Sequence, residues 1–535
     1  MTVALVSMPL SVSLAVAAHS TPVAGIVTAV WAGLIASFLG GSNFNIVGPT
    51  GALSGILATY AIAHGVSALP MLAIMAGVII LIAFVLKLER YLVFVPASTI
   101  HGFTLGVAFI IGLNQLNFAF GLSNLPAHER FFENVLESLK HLSDISWPAF
   151  FIFSLFLLAL FVLLKITPKV PGAIILAPIG IVIGYFADIG KLPFTLQTLG
   201  DRFGAITPSL FLTHDWFFDF HAIIPAATVA LVAILETMLS AKIADGMTKT
   251  KYDRRKEMLG LGLANVASGL AGGIPATAAL ARTALNIKTG ATGKTSATIN
   301  SLAVALISLA LLGYFVHIPL AVIAAILVFT AVRMVEAHHF LRMYRFDKKS
   351  FVIAAVVAVV TIYEDPIVGI LFGTAISLML FMEKLSKGQF ELIINDENKK
   401  IVQHITGEEI EKINQESDSL VYSIKGQLAY INAQAHVARF ESSLNGYKHI
   451  VLRLRELYFI DLDGVDALSE IIDLIHGQGR EVLITGANPL IRDMLHDSRQ
   501  FQDLVKAGLV FNRTSDALKH LGYQLEASYH REQVG

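Results

Sequence analysis

The sequence Gly48-Pro49-Thr50-Gly51 interrupts the chain just before an apolar run that ends near residue 62. A second interruption, Gly272-Gly273-Ile274-Pro275, precedes an apolar run over residues 277–288. A helix needs roughly 20 apolar residues, or about 17–25, to cross a bilayer, so both runs are short for a membrane span. Irregular backbone is tolerated at membrane depth where it lines a cavity or a site. The two interruptions therefore mark the positions from which the fold is best read.

The interrupted runs belong to a series of apolar runs that predicts about fourteen membrane-spanning helices. The predicted spans cover residues 2–18, 23–39, 50–62, 70–86, 91–118, 147–164, 170–187, 220–241, 257–271, 277–288, 297–315, 318–334, 350–363 and 366–383. The two short spans are the third and the tenth, which places them seven spans apart. Short, Gly/Pro-interrupted spans at matching positions in two halves are typical of transporters built from inverted repeats.

The composition agrees with a chain that lies mostly in lipid. Hydrophobic residues make up 55% and charged residues only 15%, against about 25% charged in soluble domains. The net charge of -1 gives no support for a nucleic-acid partner, and the absence of cysteine excludes disulfides and cysteine-ligated metal sites. The first apolar run lacks the basic region of a signal peptide and is predicted to be the first span. It begins very close to Met1, so whether the native chain has further residues before Met1 is an open question.

Basic residues predict the orientation of the spans. Loops after the even-numbered spans carry Lys87, Arg90, Lys165, Lys169, Lys249, Lys251, Arg254, Arg255, Lys256, Lys288, Lys294, Arg333, Arg342, Arg345, Lys348, Lys349, Lys384 and Lys387. Loops after the odd-numbered spans carry Arg130, Lys140, Lys191 and Arg202. The positive-inside rule therefore places the even loops and both termini in the cytoplasm. The membrane is expected to be the plasma membrane or the inner membrane.

Opposite orientation of the third and tenth spans suggests an anion site. Their helical N-termini would meet near the middle of the membrane, and each carries roughly half a positive charge and unpaired N–H groups. Two such ends facing each other can bind an anion. The small residues that would let an anion approach the backbone are Thr50, Gly51, Ala52 and Ser54 at one tip and Ala276, Thr277, Ala278 and Ala279 at the other.

Four further side chains are candidates for this site. Glu236 is the acidic residue well inside the eighth span, and carboxylates within the membrane are functional candidates. Its uptake of a proton would offset the charge of an incoming anion. Ser240 follows one helical turn later on the same face. Arg282 either adds positive potential to the site or extends to the cytoplasmic interface, and Phe44 lies just before the first interruption.

From about residue 389 the pattern changes to that of a soluble α/β domain. Strand-like runs at Leu420 to Ile424, His449 to Leu454 and Glu481 to Thr485 alternate with amphipathic helical stretches, which predicts a small sheet covered by helices. In Phe459-Ile460-Asp461-Leu462-Asp463-Gly464, either aspartate can cap the helix that follows. The domain has no catalytic constellation and no phosphate-binding loop, so we expect no enzyme activity, metal or cofactor.

Four linked motifs resemble those of one known family. Gly48 to Gly51, Leu235-Glu236-Thr237-Met238-Leu239-Ser240-Ala241-Lys242, Gly272 to Pro275 and Arg282-Thr283-Ala284-Leu285-Asn286-Ile287-Lys288 are similar to those of the SulP anion transporters, and the tail resembles their STAS domain. The resemblance covers nearly the whole chain.

The resemblance implies a polytopic α-helical membrane protein with about 14 helices in a 7+7 inverted repeat, divided into core and gate bundles, and a cytoplasmic STAS domain. The implied division is a transmembrane domain over 1–388, with repeats over about 1–190 and 215–388, and a STAS domain over 389–535. It implies homodimers and an elevator-like movement of the core. It places the substrate site at Thr50 to Ser54, Glu236, Ser240 and Ala278 to Arg282. Leu280 thereby joins the candidate residues named above.

The resemblance also leaves the substrate and the coupling ion open. Its implied substrates are sulfate, bicarbonate, chloride and dicarboxylates, of which we expect sulfate or bicarbonate. Glutamate at position 236 favours protons over sodium as the coupling cation, because members with aspartate there include sodium-coupled bicarbonate carriers. A dicarboxylate symporter, sodium-coupled bicarbonate uptake and a passive anion channel or exchanger are the alternatives, and a nucleobase carrier of the same architecture is a less favoured one.

The family pattern is broken at two positions. STAS domains often carry a phosphorylatable hydroxyl residue where this chain has Asp463, which excludes phosphorylation there and leaves a fixed negative charge. The turn Thr289-Gly290-Ala291-Thr292-Gly293-Lys294 is slightly longer than is usual after the tenth helix.

Overall fold

A computed structural model describes residues 1–122, 125–126, 128, 131–166, 171–212, 220–364, 366–395, 401–406, 418–442 and 447–523. The chain divides into two compact units, Met1–Ser377 and Leu378–Gly535. The predicted boundary after residue 388 lies just beyond the last apolar helix, Pro366–Ser386. It stays a prediction.

Fourteen helices correspond one to one to the fourteen predicted spans. In chain order they are Thr2–Ala17 (α1), Pro22–Leu39 (α2), Gly51–His64 (α3), Leu69–Val85 (α4), Ala97–Leu113 (α5), Trp147–Ile166 (α6), Gly172–Asp188 (α7), Ile223–Thr248 (α8), Arg254–Leu270 (α9), Leu280–Lys288 (α10), Thr295–Leu311 (α11), Leu320–Met334 (α12), Lys348–Tyr363 (α13) and Pro366–Ser386 (α14). Among the described residues, eight helical segments are long and apolar enough to cross a bilayer, and α1, α3 and α7 are shorter apolar helices. The prediction of a polytopic helical membrane protein is confirmed.

The connections carry short helices of their own. They are Leu116–Ala119, Phe131–Lys140, Leu199–Phe203 and the amphipathic helix Ala337–Phe346, together with 3₁₀ turns at Val66–Ala68, Leu88–Phe94, Leu142–Asp144, Phe220–Ala222 and Leu312–His317.

The two interruptions form a small antiparallel ribbon. Strand β1 (Val47–Gly48) pairs with β2 (Thr277–Ala278), with Val47 opposite Ala278 and Gly48 opposite Thr277. Each strand leads directly into a short helix, β1 into α3 and β2 into α10. Antiparallel pairing is what the opposite orientation of two repeats predicts. The ribbon brings the two helix N-termini to the same place.

The start of the tenth helix differs from the prediction. The sequence predicts a helix from residue 277, but Thr277 and Ala278 pair with β1, Ala279 is the N-cap, and α10 begins at Leu280. Pairing in the ribbon satisfies backbone groups that would otherwise be left unpaired in a buried segment. The helix therefore begins about one turn later than predicted, and of the four residues from Ala276 to Ala279 only the N-cap Ala279 lies at its tip.

Glycines let the helices around the ribbon pack closely. A Cβ atom on Gly260 of α9 would lie 2.5 Å from the Cα atom of Gly40, just after α2. A Cβ atom on Gly77 of α4 would lie 2.7 Å from the carbonyl oxygen of Gly262 in α9. Close backbone approach at small residues is the usual basis of helix packing in membranes. This packing fixes α2, α4 and α9 as the frame that holds the ribbon.

The second unit is a mixed sheet with helices. Its strands are Gln389–Asn395 (β3), Ile401–Thr406 (β4), Ser419–Leu428 (β5), His449–Arg453 (β6), Leu457–Ile460 (β7), Glu481–Thr485 (β8) and Val510–Phe511 (β9), and its helices are Ala433–Ser442 (α15), Leu462–Gly477 (α16), Pro489–Leu495 (α17), Arg499–Lys506 (α18) and Thr514–His520 (α19). The strand order is β4-β3-β5-β6-β8-β9, with β7 paired to β5. Strands β5, β6, β8 and β9 run parallel, as alternation of strands and helices predicts.

A buried polar cluster fastens the start of this unit to its first helix. The hydroxyl of Tyr422 lies 2.7 Å from Nδ1 of His436, and the two atoms share a hydrogen bond. Burial lowers the pKa of His436 to about 3, with the nearby Arg439 guanidinium adding to the effect. Arg439 in turn donates to the carbonyl oxygen of Lys387. The cluster therefore holds the segment before β3 against α15.

Candidate functional site

The two helix N-termini beside the ribbon are not capped by side chains. Thr50 is the N-cap of α3 and Ala279 that of α10, and neither supplies a side-chain hydrogen bond to its own helix. By contrast, Thr21 caps α2 by accepting from the N–H of Ala24. Uncapped ends keep their first N–H groups available to a ligand. The prediction that these two ends bind an anion stays a prediction.

The free donors lie at specific backbone positions. Among the described residues, no intramolecular backbone partner is present for the N–H groups of Gly51, Ala52 and Leu53, or for those at 280–282. A methyl group at Gly51 would lie 2.6 Å from Cδ1 of Ile111, so a larger residue there would require the end of the Ile111 side chain to shift. Ser54, buried one turn into α3, donates its hydroxyl to the carbonyl oxygen of Gly51 at 2.7 Å.

Part of the predicted second tip already has protein partners. The hydroxyl of Thr277 lies 2.8 Å from that of Thr237 and donates to the carbonyl oxygen of Ala233 at 3.1 Å. The N–H of Ala278 donates to the Thr237 hydroxyl at 3.1 Å, and the N–H of Ala279 donates to the carbonyl oxygen of Ile46, also at 3.1 Å. These residues hold the ribbon in place, and the free donors begin at Leu280.

Arg282 joins the two helix tips. Its side chain is 1% exposed, and Nη2 donates to the carbonyl oxygen of Pro49 at 2.5 Å. Nε and Nη1 are buried, and neither has a hydrogen-bond partner among the residues that the structure describes. A Cβ atom on Gly48 would lie 3.0 Å from Nη1, so glycine in β1 makes room for the guanidinium. Of the two positions considered for Arg282, the structure shows the one at the site and not the one at the interface.

Buried unpaired guanidinium donors need an explanation. A buried polar group without a hydrogen bond costs about 1–3 kcal/mol, and more when it is charged. Guanidinium N–H groups match the oxygens of carboxylates and phosphates and can bind two of them side by side. The two unpaired donors of Arg282, beside free N–H groups of α3 and α10, are arranged for an oxyanion.

Glu236 lies on α8 next to these donors. It interacts electrostatically with Arg282 and with the side chain of Thr50. The Thr50 hydroxyl is close enough to the carboxylate to interact with it, and no other partner of that hydroxyl is present in the described part of the chain. The Glu236 side chain is partly accessible. A titratable carboxylate, a hydroxyl and a guanidinium therefore lie within interaction distance of one another.

Ser240 and Phe44 both make hydrogen bonds to protein atoms, and their part in the site stays a prediction. The Ser240 hydroxyl donates to Oδ1 of Asn45 at 2.9 Å and lies 3.1 Å from the Thr283 hydroxyl, so it is already engaged with protein atoms. Phe44 is 4% exposed, and its carbonyl oxygen accepts from Nδ2 of Asn286 at 3.1 Å. Both residues support the segment that leads into β1, and the structure shows no free group of theirs at the tips.

The sequence prediction missed Glu257. This carboxylate is 3% exposed and accepts three hydrogen bonds, from the N–H groups of Gly41 and Ser42 at 2.7 Å and from Nδ2 of Asn45 at 2.6 Å. Lys294 lies close enough to offset its charge. It thereby fixes the chain between α2 and β1. In the sequence, Glu257 is an acidic residue at the edge of a predicted span, directly after three basic residues. A residue in that position is expected at the membrane interface, so the sequence gives no indication of its buried role.

A cavity lies at the other end of α3. It has a volume of about 1130 Å³ and is lined by Gly55 to His64 of α3, Thr228 of α8 and residues of the connections near 115–138 and 197–202. None of Thr50, Glu236 and Arg282 lines this cavity. In the orientation predicted from the basic loops, the cavity opens away from the cytoplasm.

The aspartates of the second unit have distinct roles. Asp461 is the N-cap of α16, where Oδ1 accepts from the N–H of Gly464 at 2.9 Å. Its other oxygen, Oδ2, accepts from the N–H of Tyr430 at 3.0 Å. Asp463 is exposed in the first turn of α16. Asp461 is thus the cap, and Asp463 presents its charge to the surface.

We expect the Asp461→Ala variant to lower the free energy of unfolding of the second unit by about 1–2 kcal/mol, because it removes an N-cap and a second hydrogen bond. Asp463→Ala, the matched control, should change that free energy by about 0.3–1 kcal/mol. The full chain is equilibrated in increasing urea, and a brief pulse of protease then cleaves residues 418–523 where they are unfolded. The fraction cleaved at each urea concentration gives the free energy of unfolding for both variants. Equal losses in the two variants would contradict the assignment of the cap.

Comparisons with known proteins bear on the whole chain. A sequence model of the sulfate permease family matches residues 1–357, and a model of the STAS domain matches residues 409–517. A putative sulfate transporter, YvdB of Bacillus subtilis, is 32% identical over 515 residues, which cover 94% of this chain and 93% of the relative. The bicarbonate transporter BicA of Picosynechococcus is 25% identical over 536 residues, covering 97% of this chain and 93% of that protein.

Solved structures share the fold. The murine Slc26a9 anion transporter in its inward-facing state superposes with a TM-score of 0.81 at 15% identity, covering 97% of this chain and 90% of that one. The transmembrane domain of a cyanobacterial BicA gives a TM-score of 0.61 at 23% identity, covering 69% of this chain and 95% of that one. At these identities the likeness concerns the architecture alone.

Proposed function

This chain belongs to the sulfate permease family of anion transporters, and from that premise we propose that it is a proton-coupled symporter of a small inorganic anion. Sulfate and bicarbonate are the proposed substrates, and Glu236 is the proposed coupling group. Membership of this family establishes anion transport. The ion that drives transport and the identity of the anion belong to the proposal.

The observation that carries the proposal is the position of Arg282. Its two unpaired donors are buried between two uncapped helix ends, so an anion bound there would receive hydrogen bonds from the guanidinium and from backbone N–H groups of both halves. Charge-assisted hydrogen bonds of this kind are about twice as strong as neutral ones. Gly48 leaves room for the guanidinium of Arg282 beside β1.

Coupling to protons is supported by the neighbourhood of Glu236. The carboxylate lies close to Thr50 and Arg282, so an ionised Glu236 and an anion bound by Arg282 would repel each other in a medium of low dielectric constant. Protonation removes that repulsion. An anion and a proton are therefore expected to bind together, which is the thermodynamic requirement for symport.

The relatives frame the choice of substrate. One is described as a putative sulfate transporter and another as a bicarbonate transporter, so both anions are proposed for this chain. A dicarboxylate symporter, sodium-coupled bicarbonate uptake and a passive channel or exchanger are the alternatives. We further propose a homodimer, an elevator-like movement of the helices that carry the tips, and cytoplasmic termini in the plasma or inner membrane.

Uptake by purified protein in liposomes tests the proposal. Labelled sulfate, bicarbonate, fumarate and succinate are supplied in parallel under a proton gradient, a sodium gradient or neither. We expect sulfate or bicarbonate to accumulate above its equilibrium level only when the inside is more alkaline than the outside. Accumulation that follows sodium and ignores the proton gradient would support the sodium-coupled alternative, and equilibration without accumulation would support a channel.

A further inference from the structure

Three side chains form a cluster of metal-ligand type away from the anion site. Nδ1 of His101, in the second turn of α5, lies 3.1 Å from Oε2 of Glu336. Nε2 of His339 lies 3.7 Å from the same oxygen atom. One ligand atom from each of the three residues lies within 4.8 Å of the other two. The anion chemistry described above uses none of these residues.

The spacing of the cluster matches a known way of building metal sites. Glu336 and His339 form a Glu-x-x-His pair at the start of the amphipathic helix Ala337–Phe346, and such pairs supply two ligands from one helical turn. His101 comes from a different helix and is distant in sequence. Two imidazoles and one carboxylate, with a fourth position left for water, form a common ligand set for zinc.

Two of the three distances between ligand atoms suit zinc, and the third is at most 4.8 Å. Zinc binds nitrogen at about 2.0–2.1 Å and carboxylate oxygen at about 2.0–2.2 Å, so the ligand atoms of a tetrahedral site lie about 3.3–3.5 Å apart. The two distances to Glu336, 3.1 and 3.7 Å, bracket that range. The rings of His101 and His339 are stacked with centroids 4.3 Å apart. His339 is 37% exposed at its side chain, so it can turn to close the third edge.

The surroundings also contain groups that bear on a cation. The ring of His338 lies 4.0 Å from that of His339 and offers a further nitrogen nearby. Arg342 lies close enough to His339 to repel a positive charge. A simple hydrogen bond between His101 and Glu336 would explain the first contact. It would not explain why the imidazole of His339 approaches the same carboxylate oxygen.

We propose that His101, Glu336 and His339 bind a divalent transition metal ion, with zinc as the best match. The bound ion would fasten the start of α5 to the connection between α12 and α13. By the orientation proposed above, the site would face the cytoplasmic end of these helices.

The test uses the full chain in detergent without an affinity tag. Zinc is titrated against a chromophoric chelator, and cobalt is used in parallel because its visible spectrum reports four-coordinate binding by nitrogen and oxygen. We expect one ion per chain. His339→Ala and Glu336→Gln should each weaken binding at least about tenfold, since even groups outside the ligand shell alter metal affinity by that much.

His64→Ala serves as the matched control, because His64 lies at the end of α3 and should leave the stoichiometry and affinity unchanged. His339→Ala changes a partly exposed side chain, so its folding is checked by comparing thermal unfolding without metal. Binding of the same strength in His339→Ala and in the unaltered chain would overturn the proposal. Weak binding of several ions per chain, unaffected by either variant, would assign the zinc to scattered surface histidines and would overturn it equally.

Discussion

Glu236→Gln is expected to abolish uptake driven by a proton gradient while leaving anion binding within a few-fold of the unaltered chain. Glutamine has nearly the shape of glutamic acid and keeps a hydrogen-bonding oxygen, but it cannot take up or release a proton. The site beside Thr50 and Arg282 would then resemble its protonated form at every pH. Binding no longer depends on protonation, so the gradient cannot drive accumulation.

Two measurements on the same protein check this expectation. Anion binding is measured by calorimetry in detergent across a range of pH, and accumulation is measured in liposomes with an alkaline interior. Glu383→Gln is the matched control, because Glu383 is an exposed carboxylate of α14 and its removal should affect neither quantity. Undiminished accumulation by Glu236→Gln would exclude this residue as the coupling group.

The architecture of the membrane unit follows closely from the sequence. Hydrophobic periods and Gly/Pro interruptions suffice for fourteen helices because a lipid-exposed backbone must satisfy its own hydrogen bonds. They also predict which two helices are short. They do not fix helix ends that depend on tertiary pairing, since α8 continues to Thr248 and α10 begins only at Leu280. Local sequence contains no signal for the pairing of Thr277 with Gly48.

The elements of the proposed anion site were predictable from the sequence, but the contacts between them were not. Small residues after each interruption indicate exposed helix ends, and Glu236 is conspicuous as a carboxylate in an apolar helix. The engagement of Ser240 with Asn45, and of Glu257 with the chain at Gly41 and Ser42, depends on side chains about 195–216 residues apart in sequence. Only the folded chain brings such groups together.

Arg282→Gln is expected to weaken anion binding at least about thirtyfold. Truncating one partner of a buried, hydrogen-bonded charge pair costs about 2–5 kcal/mol, and each 1.4 kcal/mol corresponds to about tenfold in Kd. Glutamine retains a donor but neither the charge nor the fork of N–H groups. Arg282→Lys keeps the charge but not the fork of N–H groups. Its affinity for the anion should lie between those of the unaltered chain and Arg282→Gln, because an ammonium group cannot bind two oxygens side by side.

A purely structural role for Arg282 leads to a different outcome in the double variant. If the guanidinium only neutralises Glu236, then Glu236→Gln combined with Arg282→Gln removes both charges, and anion binding should return to nearly the level of the unaltered chain. If Arg282 binds the anion directly, the double variant should stay at least about thirtyfold weaker. Calorimetric titration of the four proteins, with thermal unfolding measured on each, separates the two roles. The unpaired Nε and Nη1 atoms favour the second, because neutralising a neighbour does not require donors without partners.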